Sequence, residues 1–214
     1  MNNYVLPYLV PYLVSALISA LVAYYAWQRR HVSGTKPFVL MVLSQVLWTV
    51  GYTFELASPT LQGKLFWDDV QFVASTIWPI AFFAFAWQFS GRHWRHPRLA
   101  WSLVNAPFFM FLLLLLTNRW HALIRSDAWL ISGTPFDILY YDFSFLVYVF
   151  AIYMYGVFAS GIYVLIKTFF HAHKLYRRQV LFVLIGMIIP VLGTLATLAG
   201  ISFSAQRDTT PLTF

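Results

Sequence analysis

Leu99-Ala-Trp-Ser-Leu-Val-Asn105-Ala-Pro107-Phe-Phe-Met-Phe-Leu-Leu-Leu-Leu-Leu116 runs for eighteen residues without a charged side chain. A bilayer hydrocarbon core about 30 Å thick is crossed by roughly 20 mainly apolar helical residues. The leucine run Leu112–Leu116 shows none of the alternation of a transmembrane β-strand. Outward from this segment the pattern recurs, giving spans near 4–28, 37–56, 68–91, 98–116, 140–167 and 179–201. With 60% hydrophobic and 10% charged residues, the chain lacks the polar side chains to cover a soluble core. The expected fold is all-α, a polytopic transmembrane helical bundle of six full spans. Pro211-Leu-Thr-Phe214 reads as the start of a seventh, proline being suited to the first helical turn. Residues 117–139 are the least apolar break and are expected to form an ordered cap. A short hairpin turning at Gly133-Thr-Pro135 is one form for it.

The net charge of +7 is distributed as in a membrane protein, so no nucleic-acid partner is expected. Arg29, Arg30 and Lys36 fall in the first loop, and Arg92, Arg95 and Arg98 in the third. Lys167, Lys174, Arg177 and Arg178 fall in the fifth, while the alternate loops hold only Lys64, Arg119, Arg125 and Arg207. Ten against four places loops one, three and five in the cytoplasm and the N-terminus outside. All seven acids then lie on or beside the outer face. Met1-Asn-Asn carries no basic side chain, unlike the start of a cleavable signal peptide. Cysteine is absent, which removes disulfides, thiolate metal sites and cysteine nucleophiles.

Ionisable groups beside membrane spans are functional candidates when they are this scarce. Glu55, Asp68 and Asp69 flank the short connection between the second and third spans, with Lys64 between them. The aspartates read either as acids opening the third helix, favoured by its dipole, or as the mouth of a pocket. Lys64 is a candidate partner for one of them. Glu55 sits at a helix C-terminus, where negative charge opposes the dipole, so it calls for a partner: His121, Arg119, Arg125 or a ligand. Helical spacing aligns Asp68, Gln71 and Ser75, with Asp69 and Thr76 on the next stripe. Asn118 and His121 close the fourth span on the same face, and a His121–Glu55 contact would respond to pH near neutrality.

Other patterns have structural readings. His171-Ala-His173 lies in a solvated basic loop, and no metal or other cofactor is expected. Gly156-x-x-x-Ser160 and Gly161 suit close helix approach. Pro79, Pro107 and Pro190 are candidate pivots within spans. No span interior carries the lysine that a retinal Schiff base needs, and no hydrolase, transferase or phosphate-loop motif is present. The residues present are therefore not expected to catalyse a reaction.

Trp48-x-x-Gly51-Tyr-x-x-Glu55-Leu, Lys64-x-x-Trp67-x-x-x-Gln71-Phe, Pro79, Phe85 and Phe89-Ser-Gly91-Arg92 follow one another in order. Thr117-Asn118-x-x-His121 and Tyr176-Arg-x-Gln179 leading to Gly186-x-x-x-Pro190 continue the series. Together they resemble the N-terminal seven-helix membrane region of bacterial sensor histidine kinases, over essentially the whole chain. The resemblance implies a bacterial inner-membrane protein, a homodimer, and a single sensory domain over 1–214. The seventh span and the cytoplasmic output modules would lie beyond it. The function expected is an input domain that detects an extracytoplasmic or intramembrane stimulus, small molecule or physical, and relays it by helix rearrangement. Its candidate site is Glu55, Trp67, Asp68, Asp69, Gln71, Asn118 and His121, and its surroundings are the lipid bilayer. The alternatives are a small carrier or channel, kept open by Gln45 and Asn105, and a membrane anchor without a pocket.

Overall fold

A computed structural model describes residues 6–92, 94–133, 136–171 and 177–186. Helix α1 covers Leu6–Trp27, α2 Thr35–Ala57, α3 Leu61–Phe89 and α4 Pro97–Leu116. A single turn, α5 (Asn118–His121), leads into strands β1 (Arg125–Ile131) and β2 (Ile138–Phe143), and α6 covers Phe145–His171. Among the described residues five helices are long and apolar enough to cross a membrane: α1, α2, α3, α4 and α6. Of the expected sixth span, only residues 179–186 are described, and they are helical. Its remainder, with Pro190 and the expected start of a seventh span, lies outside the described residues.

The centre of the bundle is α3, which packs against α2 on one side and α6 on the other, with α1 laid on α2 and α4 touching α3. Phe82, Phe85 and Ala86 of α3 are buried with Met41 and Val42 of α2 and with Val164 and Leu165 of α6. A second apolar cluster joins Ile80, Phe111, Leu115, Ile124, Phe150 and Met154. A Cβ on Gly161 would lie 2.8 Å from Cε1 of Phe82, so only glycine lets α6 come this close to that ring. Among the described residues Gly156 meets nothing within 4 Å, while Gly161 serves helix approach. The Tyr153 hydroxyl donates to the Val104 carbonyl at 2.6 Å, one turn before Pro107. Proline weakens the backbone bonding of the preceding turn, and Tyr153 supplies a donor there.

Connectivity puts Arg29, Arg30, Lys36, Arg92, Arg95, Arg98 and Lys167 at one end of the bundle and every described acid at the other. The acid-bearing end is closed by the β1–β2 hairpin. Trp129 pairs with Tyr140, Leu130 with Leu139 and Ile131 with Ile138, and the register shifts between Ser126 and Trp129. Asp127, at φ 48°, takes the left-handed conformation inside that irregularity, which aspartate tolerates better than most residues. Phe136 at the hairpin's tip packs edge-on against Tyr8 of α1, ring centroids 6.2 Å apart. The hairpin's base meets α3, so it crosses the end of the bundle.

The bundle is all-helical as expected, and the cap at 117–139 takes the form of a short hairpin, which extends to Phe143 and delays α6 to Phe145. Alternating exposure along 125–131 drives this, one face on the bundle and one in water. Helix α3 opens at Leu61 rather than near 68, because Thr60 caps it: its Oγ1 accepts from the Gly63 N–H at 3.1 Å. Asp68 and Asp69 thus lie two turns inside the helix and do not cap it. At 29 residues α3 is about 43 Å long, against a hydrocarbon core of about 30 Å. Its first two turns and the aspartates project toward the hairpin.

Candidate functional site

The site forms where the hairpin meets the projecting end of α3. Arg125 opens β1 and is only 8% exposed. Its Nη1 is bonded to Asp68, and its Nη2 donates to Asp69 Oδ1 at 2.5 Å. Nη2 also reaches the Leu65 carbonyl at 3.4 Å. Tyr141, two residues from the matching end of β2, donates its hydroxyl to Asp68 Oδ1 at 3.1 Å, and its ring lies 5.5 Å from the guanidinium. One guanidinium thus holds two carboxylates of neighbouring residues, and a phenol completes the shell. Burial, and then the adjacent Asp68 carboxylate, push the Tyr141 phenol above its ordinary value, so it stays a proton donor.

Asn118 makes this clamp by shaping the backbone beneath it. Its Oδ1 accepts from the Ile124 N–H at 2.8 Å and the Arg125 N–H at 3.3 Å, while its Nδ2 donates to the Arg125 carbonyl at 2.9 Å. An amide, offering acceptor and donor together, matches the end of the turn where β1 begins. Ala122 at φ 51° lets the chain reverse between α5 and β1.

A second polar group lies beside the first, between α2 and α3. Glu55 Oε2 accepts from Gln71 Nε2 at 2.7 Å. Lys64, 1% exposed, donates from Nζ to the backbone carbonyls of Glu55 at 2.7 Å and Leu56 at 3.5 Å. Its cation sits on the last carbonyls of α2, where the helix dipole favours positive charge. That answers the charge problem expected for Glu55. The close approach depends on Gly51, whose added Cβ would stand 3.0 Å from Gln71 Cγ. Trp67 stacks on Phe54 at 4.7 Å and meets Phe66 edge-on at 5.1 Å, bridging the same two helices.

The seven expected site residues therefore divide. Asp68 and Asp69 join the hairpin, Glu55, Gln71 and Trp67 tie α2 to α3, and Asn118 organises the start of β1. His121 stays apart. Its Nε2 contacts Thr117 Oγ1 at 2.9 Å and its Nδ1 accepts from the Leu123 N–H at 3.0 Å, so both ring nitrogens are engaged locally rather than on Glu55. Lys64 takes the α2 carbonyls rather than an aspartate. Ser75 and Thr76 bond to the Phe72 and Val73 carbonyls of their own helix. Asn105, which kept transport open, donates to the Trp101 carbonyl of its own helix. Arg125, expected only as one possible partner of Glu55, binds Asp68 and Asp69 instead, and Tyr141 was not among the site residues expected. A base shared by two acids was legible only as a shortage of bases on that side of the charge count. Among the described residues no group of three histidine or acidic side chains is placed to hold a metal.

A bundle of membrane-crossing helices with an ion-clamped hairpin over its acidic end defines a multi-pass membrane protein with an ordered extramembrane cap. The chain belongs to the family of N-terminal 7TM regions of histidine kinases, whose profile matches residues 11–214. Neither the curated proteins nor the solved structures contain a match to it.

Proposed function

We propose that this chain is the sensory input region of a bacterial sensor histidine kinase, set in the inner membrane with its N-terminus and hairpin outside. Membership of the histidine-kinase 7TM family supports the class. The segregation of bases to one end and acids to the other supports the orientation. Arg125 carries the mechanism. It belongs to the extramembrane hairpin, yet its charge is clamped between two carboxylates of α3, the helix on which α2 and α6 pack. A stimulus that moves the hairpin must therefore pull on the central helix or break the clamp. Ligand or membrane condition then acts through its different affinity for the clamped and released states. Helix α3 is continuous from Leu61 to Phe89 and delivers the change to the basic end.

The test is autophosphorylation of the full-length protein in native membranes. Arg125→Met and Asp68→Asn are expected to shift basal output in the same direction, because both release the hairpin from α3. Gly156→Ala, with no neighbour within 4 Å among the described residues, is expected to leave it alone. Output equal to wild type in both clamp variants, with the hairpin shown to be released, would refute relay through this clamp.

A further inference from the structure

We propose that the water-facing side of the β1–β2 hairpin is a binding surface for a cationic, amphipathic peptide. Strand alternation divides the hairpin's side chains between two faces. Leu130, Leu139 and Tyr141 share the side of the Arg125 clamp, and the tip is held by Phe136 on Tyr8. Trp129, Tyr140, Ile131 and Asp142 occupy the other side. Trp129 and Tyr140 are cross-strand partners with ring centroids 4.7 Å apart, and they remain 43% and 45% exposed. Ile131 beside them is 43% exposed. The clamp and the tip already hold the opposite face to the bundle, so this one points away from it.

Charge selects the occupant. In a chain of net charge +7, residues 126–143 hold three aspartates and no lysine, arginine or histidine. Asp137 accepts from the Gly133 N–H within the tip. Asp127 and Asp142 are exposed at the base of the hairpin, Asp142 on the aromatic side one strand repeat from Tyr140. One carboxylate on the face of an electron-rich ring pair, with a second exposed at the base of the same hairpin, attracts cations by both charge and cation–π contact. From Ile138 to Asp142 the strand advances about 13 Å, the reach of four or five extended residues. A short peptide with apolar side chains on the Trp129–Tyr140–Ile131 strip and basic side chains at Asp127 and Asp142 fits both halves. Binding there does not depend on the sensory reading: a peptide that docks without altering output leaves this surface intact.

The experiment places the protein in phosphatidylcholine nanodiscs and titrates it with a fluorescein-labelled six-residue peptide of three leucines followed by three lysines, read by anisotropy. Saturable binding absent from empty nanodiscs is expected, weakening as salt rises. Asp127→Asn with Asp142→Asn removes two exposed charge pairs and is expected to weaken it about tenfold. Asparagine suits the left-handed position 127, so the hairpin survives the change. Trp129→Ala is expected to weaken binding without altering its salt dependence. Binding equal on empty nanodiscs, equal for a peptide of three leucines followed by three glutamates, or unchanged in the charge and Trp129 variants would overturn the proposal.

Discussion

Replacing Arg125 with methionine keeps the length of the side chain and removes the charge that holds Asp68 and Asp69 together. The side chains of Asp68 and Asp69 are 13% and 34% exposed. Removing one partner of a buried ion pair costs about 3–5 kcal/mol, since a charge is left without compensation. Asp69 is open enough for water to screen it, so the lower end applies, about 3 kcal/mol. At 1.4 kcal/mol per tenfold, the equilibrium for lifting the hairpin off α3 shifts by about a hundredfold. Hydrogen exchange in nanodiscs reads that equilibrium directly through local opening. The amides of the Trp129–Tyr140 and Leu130–Leu139 ladder are expected to lose about two orders of magnitude of protection, while those of α3 near Phe82 keep theirs. Adding Asp68→Asn and Asp69→Asn to Arg125→Met should recover part of the loss, because no stranded carboxylate remains. Ladder protection within threefold of wild type in Arg125→Met would show that apolar contacts, and not the clamp, hold the cap.

Other outcomes follow from single contacts. Gly161→Ala drives a Cβ into Phe82 at 2.8 Å and is expected to lower stability in detergent by about 1–3 kcal/mol, whereas Gly156→Ala changes it little. Denaturation midpoints of the two variants compare them directly. Lys64→Met leaves the last carbonyls of α2 without their cation and is expected to cost about 1.5–3 kcal/mol, seen as earlier exchange at residues 53–57. Tyr141 has its folded pKa raised, so its contribution is complete below the unfolded phenol value near 10 and is lost as pH rises beyond it. Melting of the wild type should therefore fall above pH about 10 more steeply than that of Tyr141→Phe. Because the chain has no native cysteine, single cysteines at Ser33 and Asp127 should react with impermeant reagents from opposite faces of the membrane. Reaction from the same face contradicts the proposed orientation.

The membrane class was legible from local pattern. Eighteen uncharged residues before Thr117 set the membrane environment whatever packs beside them, and the ten-to-four distribution of bases separated the two ends. Glu55, Asp68 and Asp69 stood out because charge is rare here. Their partners did not. Arg125 and Asp68 are 57 positions apart, and which base meets which acid is decided by how α3 and the hairpin are brought together. The same holds for Lys64, drawn to the end of α2 rather than to the aspartates next to it. The helix start at Leu61 rested on a local cap at Thr60, obscured by the stronger signal of the acids. A short hairpin was one form expected for the cap, but its strand bounds were hidden by their length, seven and six residues of ordinary alternation beside helices of more than twenty. Hydropathy and charge, which act residue by residue, determined that this chain is a multi-pass membrane protein with its bases and acids at opposite ends of the bundle. Only the tertiary structure decided that its acidic end is a hairpin held by one shared arginine, because a buried ion pair forms where two distant segments are desolvated together.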